Sequence, residues 1–492
     1  MKIFTRRTHT TESGVMNAFA LSPLFVVVAL LAGCAIGPDY QRPELDTPAQ
    51  FRQVEGWKPA APSDALERGA WWELYGDPQL NALVSQLNVS NQNLAAAEAQ
   101  YRQARALVRG ARAAFFPILS AGVGVSRASS GSRSTQLSDT QLRAGPGEVF
   151  DANLGLSWEL DVWGRLRRGL EASRASAEAS QADLAAAQLS LQAELVQNYL
   201  QLRVLDEQKR LLDATVAAYQ RSLRLTENQY RAGIVPKSDV TQALTQLKST
   251  QAQAVDLDGQ RAQLEHAMAV LTGAPPAGFA IAPSEQIPPL PVIPPALPSH
   301  LLERRPDIAS AERSVIAANA QIGVAKSAWF PDLSLSASGG YRSSSFADWI
   351  SLPNRYWSLG PALAAQLFDG GARRSELERS EAAWDQTVAQ YRQTVLDAFR
   401  EVEDALVQLR VLETEQALQQ QAMEAARESL RLIENQYRAG TVDFNSVVNV
   451  QASALNNERN NLTLLGSRLS ASVRLIAALG GGWESRNMAQ EE

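Results

Sequence analysis

Ser222 to Val235 reads SLRLTENQYRAGIV, and Ser429 to Val442 reads SLRLIENQYRAGTV. Twelve of the fourteen positions are identical, at a spacing of 207 residues. A match of that length within one chain means that one unit is used twice. Each copy has Leu and Tyr at helical spacing and stops at Gly233 or Gly440, where a residue without Cβ can take a positive φ at a helix C-terminus. Another amphipathic stretch follows each glycine at once. The repeated stretch therefore predicts the tip of a helical hairpin, made twice, at about 230–240 and 437–447.

Working towards the N-terminus, the chain changes period. Leu119, Ala121, Val123 and Val125 alternate with Ser120, Gly122, Gly124 and Ser126. Phe150, Ala152, Leu154, Leu156, Trp158 and Leu160 alternate with Asp151, Asn153, Gly155, Ser157 and Glu159. The second half does the same with Leu333, Leu335 and Ala337, and again with Trp357, Leu359, Leu363 and Leu367. Period two predicts strands at about 118–126, 150–161, 332–341 and 356–367, each with one apolar and one small or polar face. That pattern fits either membrane β-strands or a soluble hairpin lying on a core.

The start of the chain separates these two. Basic residues precede the apolar run Leu21 to Leu31, and Leu31-Ala32-Gly33-Cys34 follows. This is the layout of a secretory signal, 1–33, and not of a membrane span. Leu-Ala-Gly-Cys also resembles the bacterial lipobox. The resemblance implies cleavage before Cys34, an S-diacylglycerol on its thiol and an N-palmitoyl group on its amine. Ala35 is not the aspartate of inner-membrane retention, so the implied address is the outer membrane. Residues 34–76 then read as a Pro-rich lipidated tether that lies along the body.

Composition excludes several classes. The net charge is -6, which leaves no basic footprint for nucleic acid. One cysteine and three scattered histidines give no intrachain disulfide and no metal-ligand spacing. Gly-rich phosphate loops and nucleophile elbows are absent from the sequence, so no enzyme and no metal or organic cofactor is expected.

Both strand pairs feed long proline-free helices, about 165–232 and 372–439. Leu184, Leu191, Leu205, Leu212 and Tyr219 share one heptad position in the first, and Val388, Val395, Val402, Leu409, Met423, Leu430 and Tyr437 share one in the second. Sustained heptads mean packing against neighbouring helices. At 1.5 Å per residue each is ~100 Å long. Shorter helices are expected at 77–115, 238–272, 300–329 and 443–479, and two of them end to end match one long helix. The repeats are thus 77–272 and 300–482, joined by a connector, 273–299, with nine prolines, and followed by a tail, 483–492. The fold class is mainly α with membrane β-strands, each repeat being a long helix, two stacked short helices and a β-hairpin.

Four strands cannot close a membrane barrel, whose smallest size is about eight. An open edge in lipid leaves backbone groups unsatisfied at several kcal/mol each. Closure needs further copies. Two would give a barrel filled by side chains; three would give a lumen lined by the Ser/Gly faces. Geometry favours three.

Together these residues resemble the TolC-like outer-membrane efflux proteins, in the lipoprotein branch of NodT-type outer-membrane factors. The motifs are LAGC at 31–34 with GPDYQRP after it, WELDVWGRLRR at 158–168, ENQYRAG in both halves, LLERRPDI at 301–308, Phe116-Pro117, Phe330-Pro331 and LGGGW at 479–483. The resemblance implies a homotrimer with a twelve-stranded barrel in outer-membrane lipid, a periplasmic α-barrel and a mixed α/β belt with short strands. It implies a periplasmic adaptor and an inner-membrane pump, often of the resistance-nodulation-division class, as partners.

Within that reading the tips are the periplasmic gate. Tyr230, Arg231, Gly233, Asp239, Tyr437, Arg438, Gly440, Asp443 and Phe444 are the candidates. Threefold assembly would set three copies of each carboxylate near one axis, with Arg231 and Arg438 as partners. Relatives often carry acids where this chain has Ser446 and Asn449, which leaves Asp443 or the apolar Phe444 as the constriction. Two rival readings stand beside the small-molecule efflux duct: a pore-free coiled-coil lipoprotein, and the exit duct of a type I protein secretion system. The exported substrate and the particular pump are not encoded in any motif.

Overall fold

The structure is a computed structural model that describes residues 35–43, 69–128, 147–291 and 305–481. Cys34, the leader, most of the tether (44–68), the loop 129–146, the end of the connector (292–304) and the tail from 482 lie outside the described residues.

Among the described residues are seven α-helices and four strands. In chain order they are α1 (Pro78–Ser90), α2 (Gln92–Ala113), β1 (Ile118–Ala128), β2 (Gly147–Glu159), α3 (Arg165–Arg231), α4 (Lys237–Leu271), α5 (Pro306–Ser327), β3 (Asp332–Ser343), β4 (Arg355–Ala364), α6 (Ala372–Arg438) and α7 (Phe444–Ala478). Lengths recur between halves: 67 residues for α3 and α6, 35 for α4 and α7, 22 for α2 and α5.

The chain divides into two compact units. One holds residues up to 42, 104–177 and 314–388; the other holds 43–103, 178–313 and 389 onward. The first unit is built on a single sheet of order β1-β2-β3-β4, antiparallel throughout. Each half supplies one hairpin, and β2 pairs with β3 across the halves. The short belt strands implied by family resemblance are not found among the described residues, where all strands belong to this sheet. β2 begins earlier than its apolar alternation, at Gly147. β4 stops at Ala364, opposite the first residue of β3, so Leu367 lies beyond the ladder and is 93% exposed.

The second unit is helical. Leu80, Val84 and Leu87 of α1 pack with Leu195, Tyr199 and Leu202 of α3, Met268 of α4, and Leu469, Val473 and Ile476 of α7. Each fully buried Leu or Ile contributes about 1.5–3 kcal/mol relative to exposure. Two expectations change here. Trp71–Tyr75 is a 3₁₀ turn rather than tether: Trp71 and Tyr75 are core residues, and the Tyr75 hydroxyl is 2.8 Å from Ser472 Oγ. The stretch 77–115 is two helices, because Asn91 takes an extended conformation. Its Nδ2 donates to the Leu271 carbonyl at 2.7 Å, and its Oδ1 accepts from the Leu94 N–H at 3.0 Å. Asn91 therefore caps α2 and binds the last turn of α4.

A corresponding joint occurs in the other half, where Arg305 donates to the Ala478 carbonyl at 2.9 Å. Each joint sets the end of a return helix against the start of a strand-bound one. The connector leaves α4 docked. Arg203 donates to the Ala282 carbonyl at 2.8 Å, Arg261 to that of Ile281 at 2.6 Å, and both arginines share Asp206. Two guanidinium groups around one buried carboxylate leave each charge paired.

Candidate functional site

Two places carry functional geometry: the sheet, and the paired helix tips.

The register puts Leu119 opposite Leu156, Leu156 opposite Ala337, and Ala337 opposite Leu359. Side chains alternate faces along a strand. One face therefore carries Leu119, Val123, Val125, Leu154, Leu335, Trp357, Leu359 and Leu363, and most of these stand exposed. The opposite face carries Ser120, Gly122, Asn153, Gly155, Ser336, Ser338 and Ser358. Ser338 and Ser358 hydroxyls meet at 2.8 Å, and Arg342 donates to Asp151 at 2.9 Å. Aromatic residues flank the apolar face. Phe150 packs with Phe346 and Trp349 at one strand end, with centroids 5.5 and 5.9 Å apart. At the other end Trp158 donates to the Phe115 carbonyl at 2.9 Å, and Trp163 donates to the Pro331 carbonyl at 2.7 Å. None of the described helices is long and apolar enough to cross a membrane.

The segment after Cys34 is seated on this unit. Ile36 N–H donates to the Trp163 carbonyl at 3.0 Å. Arg168 reaches the carbonyls of Ile36 and Gly37, together with Asp39 and Glu171, and Asn319 donates to the Pro38 carbonyl at 2.9 Å. Glycine is required at the contact. Gly37 has φ 119°, and a Cβ there would lie 2.6 Å from the Gly323 Cα.

Where the strands hand over to the long helices, an aspartate caps each. Asp161 accepts from the N–H groups of Leu166 and Arg167 at 2.9 and 3.0 Å. Asp369 accepts from those of Gly371 and Arg373 at 3.0 and 3.2 Å, and from Arg373 Nε at 2.6 Å. The Arg373 guanidinium, then the two backbone donors, hold the Asp369 carboxyl at about 2.

At the tips the two repeated stretches end identically. Gly233 and Gly440 both have φ 75°. Ile234 N–H donates to the Gln229 carbonyl at 2.9 Å and Thr441 N–H to that of Gln436 at 3.0 Å, closing each helix with a six-residue loop bond. The starts of the return helices differ. Pro236 offers no side-chain cap to α4, whereas Asp443 accepts from the Ser446 N–H at 3.0 Å and from the Ser446 hydroxyl. Those two bonds from Ser446 hold the Asp443 carboxyl below its usual range.

The structure brings the two tips of one chain together. The Tyr437 hydroxyl donates to Gln229 Oε1 at 2.9 Å. Burial pushes that hydroxyl above its ordinary value, and a hydrogen bond with Thr226 partly offsets the rise. Phe444 is 2% exposed, packs with Ala243, Val448, Leu223 and Tyr437, and lies 5.6 Å from the Tyr437 ring. Gln242 donates to Asn445 at 2.9 Å. Phe444 thus sits inside the tip junction of the protomer, not on its surface. The other candidates, Tyr230, Arg231, Gly233, Arg438, Gly440 and Asp443, are exposed, and Asp239 is half-buried. The arginines do not meet the aspartates here. Arg438 reaches Glu434 at 3.5 Å and Asn435 at 3.1 Å, while Asp239 accepts from Ser238 at 3.2 Å. Gln229, Thr226, Gln242 and Asn445 were not singled out from sequence. Thr226 was findable: it occupies one of the two positions at which the repeated stretches differ.

A four-stranded membrane-type sheet continued by long helices with paired tips defines the class of outer-membrane channel subunits. The chain belongs to the outer membrane efflux protein family, whose pattern it matches over residues 83–274 and 297–481. It is 33% identical over 465 residues to the pyoverdine export outer membrane protein OpmQ of Pseudomonas aeruginosa, covering 93% of this chain and 95% of that one. It is 30% identical over 473 residues to the cation efflux system protein CusC of Escherichia coli, covering 95% and 100%. The solved structure of the outer-membrane channel OprN superposes with a TM-score of 0.82 at 33% identity, covering 92% of this chain and all of the other. The protein is an outer-membrane component of an efflux system.

Proposed function

We propose that this chain is the passive exit duct of a tripartite efflux system, working as a homotrimer. The observation that carries the reading is the open sheet. β1 and β4 are edge strands that run in opposite directions, so β4 of one copy can extend β1 of the next in the antiparallel sense. Three copies make twelve strands, with the apolar faces in lipid and the Ser/Gly faces around water. An unclosed sheet would leave two edges of N–H and C=O groups in hydrocarbon.

Each long helix starts within eight residues of a strand and ends at a tip. The tips, Gly233 to Val240 and Gly440 to Val447, are the proposed docking points for a periplasmic adaptor, which links the duct to an inner-membrane pump of the resistance-nodulation-division class. Lipids on Cys34, N-palmitoyl and S-diacylglycerol, would add about 0.8 kcal/mol per buried CH₂. The seat of residues 35–39 beside Trp163 supports that anchor, since it ties the segment that follows the lipobox to the aromatic end of the sheet. The work of transport is done by the pump, and the duct needs no catalytic group. Cargo is a small molecule chosen at the pump; the names of the relatives span pyoverdine and cations.

The test is reconstitution. Native mass in mild detergent should give three copies, and planar bilayers should show discrete conductance steps. A monomer, or a trimer without conductance, would return the protein to the pore-free lipoprotein reading. Cysteines at Ser238 and Ser446 should cross-link to the adaptor in cells, and cross-links confined to mid-helix sites would contradict tip docking.

A further inference from the structure

The turn between β3 and β4, residues 344–354, lies at the strand ends opposite the long helices, which is the outer end of the sheet. Its sequence, SSFADWISLPN, puts four large apolar side chains, Phe346, Trp349, Ile350 and Leu352, into seven residues. The turn is held by its own bonds. Ser345 N–H donates to Ser343 Oγ at 3.1 Å, Asn354 Nδ2 to the Asp348 carbonyl at 2.7 Å, and Trp349 Nε1 to the Tyr341 carbonyl at 3.3 Å. Phe346 and Trp349 lean on Phe150, which shares its face with Ala152, Leu154 and Leu156. The turn therefore folds over the apolar face and not over the Ser/Gly face. Phe346, Ile350 and Leu352 are still 70%, 72% and 76% exposed.

Exposed apolar side chains gathered in one place mark a contact with protein or with lipid. Depth decides between them. Phe150 stands eight residues from Trp158 on β2, about 27 Å along the strand, or about 21 Å of height at a tilt of about 40°. The lipid-facing band of a membrane barrel is about 25 Å tall. With Trp158 at the inner border, a turn resting on Phe150 lies inside the top of that band, where acyl chains meet headgroups.

A cation stands on the same face. Arg355 pairs with Tyr341, and Tyr341 with Ala152. Arg355 is exposed, and among the described residues no carboxylate meets its guanidinium. Two other arginines at this end of the sheet are paired, Arg342 with Asp151 and Arg127 with Glu148. A lone guanidinium facing hydrocarbon is unfavourable. Its long stem can carry the charge towards the headgroups, and its planar fork matches a phosphate through two parallel N–H bonds.

We propose that the β3–β4 turn is a lipid-binding site of the outer leaflet. Phe346, Ile350 and Leu352 enter the acyl layer, and Arg355 binds the phosphate of an acylated, phosphorylated glycolipid of the lipid A type, the lipid of that leaflet. The inference rests on the reading above that places the apolar face in lipid.

Full-length protein reconstituted in phosphatidylcholine vesicles tests both parts, with Cys34 left in place and the unsubstituted chain as labelling control. Bimane on Ile350→Cys or Leu352→Cys should be quenched by brominated acyl chains at least half as strongly as bimane on Leu359→Cys, at mid-sheet on the apolar face. Bimane on Ser358→Cys, on the Ser/Gly face, should be quenched least. Quenching at Leu359→Cys without quenching at Ile350→Cys and Leu352→Cys overturns insertion of the turn and spares the lipid face. No quenching at Leu359→Cys overturns the lipid face itself. From vesicles that also carry lipid A, protein extracted into mild detergent should retain that lipid, as read by native mass. Arg355→Gln should lower retention about tenfold, the size of one charge-assisted hydrogen bond, and Arg355→Lys should restore part of it, both variants keeping the oligomeric mass of the parent. Equal retention by Arg355→Gln overturns the role of Arg355, and equal retention of phosphatidylglycerol overturns the choice of glycolipid.

Discussion

Arg168 Nη2 donates to Asp39 Oδ1 at 2.9 Å, and this bond joins two sequence motifs, GPDYQRP and WGRLRR, that lie 129 residues apart. The Arg168 side chain is nearly buried while Asp39 is open to solvent, so the arginine acts chiefly as a clamp on the backbone carbonyls of Ile36 and Gly37.

That clamp needs its glycines. Gly37→Ala should release the segment 35–39, since a φ of 119° alone costs about 1–3 kcal/mol for a residue with Cβ. Gly323→Ala should do the same by pressing on Arg168 Cγ at 2.8 Å. Gly76→Ala, with open space around it, should leave the segment seated. Limited proteolysis near Asp39 reads the difference.

The cap at Asp369 is pH-dependent in a defined window. Its carboxyl stands at about 2 in the fold against an ordinary 3.8. A carboxyl lowered on folding contributes stability that is complete above about 4 and is lost as the pH falls through about 2. Hydrogen exchange at the first turn of α6 should therefore rise between these limits. In Asp369→Asn exchange should be faster at neutral pH and no longer respond to acid in that range.

Asp443 has two separable roles, a cap of α7 and the charge proposed for the gate. Asp443→Ser keeps a capping oxygen and removes the charge, whereas Asp443→Ala removes both, at about 1 kcal/mol for the cap. Single-channel conductance should rise in both variants, and hydrogen exchange at the start of α7 should rise only in Asp443→Ala. Unchanged conductance in both, and in Asp239→Ala, would remove the charged gate.

Phe444→Ala should loosen the tips without unfolding the body. Truncating a buried Phe costs about 3–5 kcal/mol, and here the loss falls on a small cluster remote from the core around Leu195 and Leu469. Exchange should rise at Tyr437 and Ala243, while thermal unfolding of the helical core stays where it was.

The parts of this architecture that were legible in sequence are those set by period. Strands β1 to β4 alternate strictly, and α3 and α6 repeat in sevens without a proline. The parts that were not legible are set by partners distant in sequence. Asn91 breaks the helix predicted over 77–115 because its side chain is wanted by the Leu271 carbonyl, and no local signal says so. Trp71 and Tyr75 follow a Pro-rich stretch and still enter the core, because Ser472 lies almost four hundred residues away in sequence. At the tips, the repeated stretch gave the turn and its glycine but not the pairing of Tyr437 with Gln229. Pairing depends on which neighbour each face meets, and an identical sequence in both copies cannot distinguish the two.

The carriage of both tips by one polypeptide has an evolutionary consequence. In a chain made of one unit, every copy of the tip would carry the same substitution at once. Fusing two units in one chain leaves the two tips free to diverge. Phe444 and Lys237, standing at matching positions of the two units, are such a divergence: one fills a buried cluster between the tips and the other is left exposed.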